Sequence, residues 1–350
     1  MIPVENLVKR KRKMVLENNN KDYSFSDVTL SILAYKKSRY LERCIHSVLS
    51  MNGVEQATVV LATSTPNEWI QRMGKKYHLP IYVNDGSIEG VGKEQKVADQ
   101  PGGNEKQGLE KKGSGIGADF QFGIDVAKTP LVTVVHQDDI YGKNYLVEML
   151  GHINEEMEKG HTPLIAFCDY YELKEEREPV LQSVEDFCEK RSEELRNVRK
   201  KEPVNRAFRI ETSNRNLVIK RLMNAFFKVP WGSTSIWWRR RILSLGCSIC
   251  CPSVMFHKKE LLMDVFQAGF GANVDWEAWE KLSRKKGAFI YVDQCLMLHR
   301  IYRESTTSQC IQNQSRNEED YNIFCRFWPT PVARLLTKLY KYGEKNNEDS

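Results

Sequence analysis

Between residues 27 and 135 short apolar runs of strand length alternate with stretches whose apolar residues recur at helical spacing. The run Val28-Thr29-Leu30-Ser31-Ile32-Leu33-Ala34 comes first, and Leu41, Cys44, Ile45, Val48 and Leu49 follow it on one face of a helix over 40–51. Residues 57–62 and 80–83 read as a second and third strand, with a helix over 66–77 between them. Strands that alternate with helices cannot pair by tight hairpins, so they form parallel βαβ units whose sheet is covered on both faces. The chain is therefore expected to be an α/β protein.

Composition narrows the class further. At about 150 residues per domain, 350 residues make one large or two intimate domains, and 41% hydrophobic residues can fill a core. Disorder, collagen and coiled coil are excluded as the main architecture. No window approaches the ~20 consecutive apolar residues that cross a bilayer. The N-terminal run Lys9-Arg10-Lys11-Arg12-Lys13 has no apolar signal core behind it. Residues 1–25 read as a loose basic arm, and the expected location is the cytoplasm. Nine cysteines, an odd number without framework spacing, fit reduced thiols. Cys247-x-x-Cys250-Cys251 lacks a second ligand pair for zinc and reads as packing.

Three constellations carry chemistry. A very apolar strand over 131–135 runs into His136-Gln137-Asp138-Asp139. Carboxylates at the end of a buried strand are costly unless they meet solvent or bind something, and oxygen ligands suit a hard divalent cation; the simpler reading is that Asp139 caps a helix. In Asn273-Val274-Asp275-Trp276-Glu277-Ala278-Trp279-Glu280 an acid beside two Trp can act as a general base, although acids also favour any helix start. His299-Arg300-Ile301-Tyr302-Arg303 follows a long apolar strand over 288–298. Two Arg there can clamp a diphosphate or simply form salt bridges.

Two segments stand apart in charge. Residues 172–202 are dense in both signs and read as solvated helices of an insertion. Residues 212–259 contain no acid, nine Lys or Arg and six aromatics. Leu222, Met223 and Phe226 are expected to pack a helical stripe on the core. Trp231, Trp237 and Trp238 with Arg239, Arg240 and Arg241 are expected to form a surface patch for anionic lipid.

The order of these motifs resembles glycosyltransferase family 2, which has the GT-A fold. Thr29–Lys36 with Tyr40–Leu49 looks like the family's opening strand and helix, and 115–124 is similar to the helix before its metal motif. His136-Gln137-Asp138-Asp139 sits where the family has Asp-x-Asp, Asp275-Trp276 falls at its Glu-Asp, and 300–307 resembles its closing Arg- and Thr-containing stretch. Three departures stand out: Ala62-Thr63-Ser64-Thr65 replaces Asp-Asp-Gly-Ser, His136 replaces the first metal Asp, and Val274 replaces the Glu before the base.

The resemblance implies a mixed, mostly parallel Rossmann-like sheet flanked by helices, with a helical insertion and C-terminal helices. Its parts would be the arm (1–25), a nucleotide-sugar-binding half (26–150), a charged and basic-aromatic insertion (151–246), an acceptor-side half (247–310) and a C-terminal helical segment (311–350). It further implies sugar transfer from a UDP- or dTDP-linked donor to a glycan hydroxyl in bacterial surface polysaccharide synthesis, inverting and dependent on Mg²⁺ or Mn²⁺. Asp275, with Glu277 as the neighbouring carboxylate, would be catalytic. Asp138 and His136 would hold the metal. Ala34, Tyr35, Thr63, Ser64, Asp119, Gln137, Asp139, Arg300 and Arg303 would bind the donor. The acceptor would be free or lipid-linked, with peripheral contact at the inner face of the membrane and no nucleic acid bound. Three rivals stay open: a sugar-nucleotide nucleotidyltransferase, a non-catalytic nucleotide-sugar-binding module, and a membrane-surface or nucleic-acid-binding protein.

Overall fold

A computed structural model describes residues 22–85, 88–89, 115–174, 209–211, 215–229, 231–261, 264–266, 271–302 and 315–348. The sequence-predicted arm lies almost wholly outside the described residues. The first part of the chain builds β1 (Val28–Leu33), α1 (Leu41–Leu49), β2 (Thr58–Thr63), α2 (Glu68–Tyr77), β3 (Ile81–Val83) and a short β4 (Ile88–Glu89). After it come α3 (Ile116–Asp125), β5 (Leu131–His136), β6 (Ile140–Tyr141), α4 (Tyr145–Glu158), β7 (Pro163–Lys174) and β8 (Arg209–Glu211). The remainder holds α5 (Arg215–Ala225), α6 (Ile236–Leu243), β9 (Val254–His257), α7 (Val274–Ser283), β10 (Ala288–Ile301), α8 (Ser315–Phe327) and α9 (Thr330–Glu348).

All described strands join one sheet in the order β4-β3-β2-β1-β5-β9-β7-β10-β6, with β8 beside β7. The strands β3, β2, β1 and β5 run parallel, which is what alternating strands and helices require. Register aligns their ends: Leu33 pairs with Ala62 and His136, and Thr63 with Val83. β9 is antiparallel to both β5 and β7, so the two reversals return β7, and with it the parallel β10, to the direction of β5. Every long strand except β9 therefore ends at one carboxyl edge.

The pleat sorts the core. Val28, Leu30, Ile32, Leu131 and Val135 face α1, α2 and α4, while Val132 and Val134 face α3, α6 and α7. Gly123 lets α3 approach β1 closely, since a Cβ there would come within 2.9 Å of the Leu33 side chain. That contact seats the first turn of α3 over the ends of β1 and β2.

Three features differ from the sequence reading. Within the expected insertion, 163–174 is a central strand, because Leu164, Ile165, Ala166 and Phe167 fill the sheet between β9 and β10. The stripe of Leu222, Met223 and Phe226 packs only in part: Met223 lies against the core, but Leu222 is 63% exposed and Phe226 45%. Arg239 is not on the surface but fully buried. Its guanidinium donates to the carbonyl oxygens of Ser283 (3.1 Å), Ser233 (3.2 Å), Gly287 and Lys285, and it lies over the Phe289 ring at 4.9 Å. Basic residues in an acid-free segment read as exposed, but a fork of donors also serves backbone carbonyls that helix ends and turns leave unpaired.

Arg239→Leu strips a donor from each of those buried carbonyls. It is expected to cost about 3 kcal/mol, and Arg239→Lys, which lacks the fork, to recover only part of that. Urea unfolding monitored by circular dichroism measures both. An unchanged midpoint for Arg239→Leu would refute the bracing role.

Candidate active site

β5 carries His136 to the carboxyl edge, where the chain turns back into β6; the Asp139 amide donates to the His136 carbonyl at 3.2 Å. The turn brings His136, Asp138 and Asp139 together, with one ligand atom from each within 4.8 Å of the others. Asp139 is completely buried. Its Oδ1 accepts from His299 Nδ1 at 3.0 Å and from the Arg300 amide at 2.9 Å, tying the turn to the end of β10. Among the described residues its Oδ2 has no hydrogen-bond partner. Burial opposes ionisation, but the His299 imidazole outweighs it and holds the Asp139 carboxyl below its ordinary value.

Asp138 has the opposite balance. Burial and the Asp139 charge push its carboxyl up to about 6, and Tyr302 hydrogen-bonds to it. The His136 ring lies on Phe120, centroids 4.5 Å apart, and its Nε2 has no hydrogen-bond partner among the described residues. Burial pushes the imidazole down to about 4, so it is neutral at physiological pH with a lone pair to offer. Two carboxylates that disfavour each other, one carrying an orphaned oxygen, beside an orphaned neutral imidazole, make a donor set that fits a divalent cation.

The other residues expected to bind the donor gather along the same edge. The Gln137 side-chain amide clamps the Tyr35 backbone, accepting from its amide at 2.9 Å and donating to its carbonyl at 3.2 Å. The Ala34 amide donates to the Ala62 carbonyl at 2.8 Å. Thr63 accepts from the Thr65 amide at 3.0 Å and Thr65 from the Lys36 amide at 2.7 Å, with Lys36 in the left-handed region at φ 52°. Asp119 hydrogen-bonds Ser64 and Asn84, and burial raises its carboxyl. Ala34, Tyr35, Thr63, Ser64, Asp119 and Gln137 thus share one edge with the His-Asp-Asp cluster.

Arg300 is 1% exposed. Its Nε donates to the Asp138 carbonyl at 2.7 Å, and its guanidinium lies 4.1 Å from the Tyr40 ring centroid. Burial lowers its pKa to about 10. It braces the turn from within. Arg303 lies outside the described residues.

Asp275 occupies the first turn of α7, where the helix dipole favours a carboxylate. Its Oδ1 accepts from the Trp276 amide at 2.7 Å, and its Oδ2 from the Cys247 thiol at 3.5 Å. The approach to α7 is held from α8: Glu319 accepts from the amides of Gly271 (2.7 Å), Ala272 (2.9 Å) and Asn273 (2.8 Å), and Asn273 donates to Asp320 at 2.6 Å. Glu277 is buried instead, paired with Arg326 at 2.8 Å and Lys281 at 2.9 Å. Glu280 similarly holds Arg240 at 2.6 Å and Arg284 at 2.7 Å. Cys250 feels both carboxylates: burial raises its thiol well above the ordinary range, and Asp139 and Asp275 add to the shift while Lys220 opposes it. Asn84, Lys220 and Glu319 carry no motif in the sequence, and only the folded chain places them here; Cys247, read as packing, turns out to hold the Asp275 carboxylate.

No family model matches the sequence, and no curated protein matches it. Solved structures do. The mannosyltransferase PcManGT from Pyrobaculum calidifontis, in complex with GDP-Man and Mn²⁺, aligns over 96% of this chain and 76% of its own at 10% identity with a TM-score of 0.50. The chain has the GT-A fold. Two further structures match less closely: S. aureus TarS 1-349 in complex with UDP-GlcNAc (TM-score 0.49, 11% identity, 89% of this chain and 70% of that one), and glucosyl-3-phosphoglycerate synthase from Mycobacterium tuberculosis (0.47, 12%, 89% and 82%).

The cluster's members separate by role. Asp138→Ala is expected to lower Mn²⁺ affinity in calorimetry by at least about tenfold while leaving the melting curve in place. Asp139→Ala, which strands the half-buried His299 and the Arg300 amide, is expected to cost about 3 kcal/mol of stability as well. Equal Mn²⁺ affinity for parent and Asp138→Ala would remove Asp138 from the site.

Proposed function

We propose that this protein is a glycosyltransferase of the family 2 type, moving a sugar from a UDP- or dTDP-linked donor to a hydroxyl of a glycan acceptor with inversion at the anomeric carbon, in bacterial surface polysaccharide synthesis. The observation that carries this reading is the His136-Asp138-Asp139 cluster at the carboxyl edge of the sheet, with Asp275 near enough to act, together with Asp139, on the Cys250 thiol. An inverting transfer needs a site for the leaving diphosphate on one side of the anomeric carbon and a base on the other.

Asp275 is the base. The acceptor O–H proton passes to its carboxylate as the acceptor oxygen forms a bond to the anomeric carbon and the bond from that carbon to the diphosphate oxygen breaks. The Cys247 thiol and the Trp276 amide hold the carboxylate in place, which lowers the cost of orientation. A bound Mg²⁺ or Mn²⁺ supplies charge neutralisation for the departing diphosphate, and His136, Asp138 and the free oxygen of Asp139 would hold it. Ser64, Asn84 and Asp119 face the nucleoside, at the strand ends where open α/β sheets bind nucleotides. Arg300 keeps the Asp138 turn rigid through its Nε, and Arg300 or Arg303 would add to the diphosphate clamp.

Glu277 is assigned to the scaffold, since both its oxygens are engaged by Arg326 and Lys281. Asp275→Asn is expected to reduce turnover of labelled UDP- or dTDP-sugar by at least ~10²-fold with donor affinity unchanged, and Glu277→Gln to lower the melting temperature more than kcat. Loss of turnover in a folded Glu277→Gln variant with Asp275→Asn still active would transfer the role of base to Glu277.

A further inference from the structure

The helix α5 turns most of its apolar residues outward. Its apolar residues recur at the spacing of a helix seated on a core, yet Val218, Ile219, Leu222 and Phe226 all face away from the protein. Only Leu217 and Met223 turn inward onto the core; the rest of the inward face is polar, with Lys220 donating to the Tyr170 hydroxyl at 3.0 Å, Arg221 to the Tyr170 carbonyl at 2.8 Å, and Asn224 to the Ser248 carbonyl at 3.2 Å. A helix meeting only water has no reason to turn this way round.

The apolar stripe continues beyond the helix. Phe226 meets Trp238 at 5.9 Å, and Trp238 meets Trp231 at 4.8 Å and Trp237 at 5.9 Å. Arg241 lies over both Trp237 (5.6 Å) and Trp328 (5.0 Å). Trp328 leads into α9, whose Val332, Leu335 and Leu339 are exposed too. Among the described residues, every exposed large hydrophobic except Tyr35 and Val147 lies within 212–259 or 321–343.

Those are the two longest stretches of the chain without Asp or Glu. The exposed side chains among them include Arg215, Lys228, Arg241, Arg334 and Lys338; Lys228 is paired with Asp293. Acid has thus been kept out of the parts of the chain that expose apolar side chains. A neutral protein partner would not demand that, whereas a negatively charged apolar surface would. Trp and Arg favour the level of lipid headgroups, and aliphatic side chains the acyl boundary beneath.

We propose that α5, the Trp231–Trp238 cluster and the first turns of α9 form one surface that lies on a bilayer of anionic phospholipid. Binding is peripheral, since no described helix is long and apolar enough to cross a membrane. The inference stands apart from the sugar-transfer reading and extends it. The inner face of α5 holds Tyr170, whose ring meets His299 edge-on at 5.9 Å, and His299 holds Asp139. From α9, Tyr340 packs on Trp276, the neighbour of Asp275, at 5.7 Å. On that reading, an acceptor carried on a lipid is presented beside both carboxylates.

Cosedimentation of the full chain with phosphatidylcholine vesicles, with and without phosphatidylglycerol, tests the surface at low and high salt. The parent is expected to bind the anionic vesicles and to be released by salt. The variants Leu222→Glu with Trp237→Glu, and Leu335→Glu, change only exposed side chains and are expected to bind about tenfold more weakly or worse, with unchanged melting curves. Val147→Glu, at an exposed apolar site elsewhere, is expected to bind like the parent. No binding by the parent, or equal binding by the stripe variants, would overturn the proposal. So would a parent dimer, detected by sedimentation velocity without vesicle binding and dissolved by the same variants, because the surface would then belong to a second copy. None of these readouts uses turnover, so a failure of the catalytic reading would not alter them.

Discussion

The carboxylate of Asp139 is the joint on which the carboxyl edge depends. It is wholly buried, in a setting where an unpaired charge is very costly, and its Oδ1 is satisfied by two donors from β10, His299 and the Arg300 amide. The β5–β6 turn and the end of β10 therefore cannot be positioned separately. Arg300 closes the same joint from its other side through the Asp138 carbonyl and the Tyr40 ring. With the turn fixed in this way, Asp138 and His136 inherit their positions, and the Asp138 carboxyl is raised first by its burial and then by sharing the site with a neighbour that stays ionised.

The second half is organised by ion pairs rather than by a single buried group. Glu277 and Glu280 collect Arg240, Lys281, Arg284 and Arg326, which binds α6 and α8 to α7. Arg239 adds a buried cation without a carboxylate, matched to carbonyl oxygens alone. The outcome is that α7 is gripped along its length, while Asp275 at its first turn keeps contact with one thiol and one backbone amide.

Much of this was legible in the sequence because period and order are local properties. The alternation that predicts β1, α1, β2, α2 and β3 places them within a residue or two of where they lie, and the apolar strand ending in Asp138 and Asp139 forecasts the cluster. What remained hidden depends on contacts distant in sequence. β7 was obscured by the charged stretch that follows it, although Leu164–Cys168 is as apolar as β5. The outward turn of most apolar residues of α5 could not be read at all, since helical spacing reports that a helix has an apolar face and not which way that face turns. Arg239, Arg240 and Arg241 look alike as a run, yet one is buried among carbonyls, one pairs with Glu280 and one lies over two tryptophan rings.

The antiparallel β9 has a mechanical consequence. It is the strand through which β5 and the strands before it are hydrogen-bonded to β7 and β10, with Phe256 paired to Val132 on one flank and to Ile165 on the other. The same Phe256 side chain stacks on Trp279 of α7, centroids 5.9 Å apart. A rotation of one side against the other would have to tear both ladders and pull that ring from its partner. The molecule has no hinge along this line. The placement of the Asp138 turn relative to α7, and so to Asp275, is accordingly a property of folding.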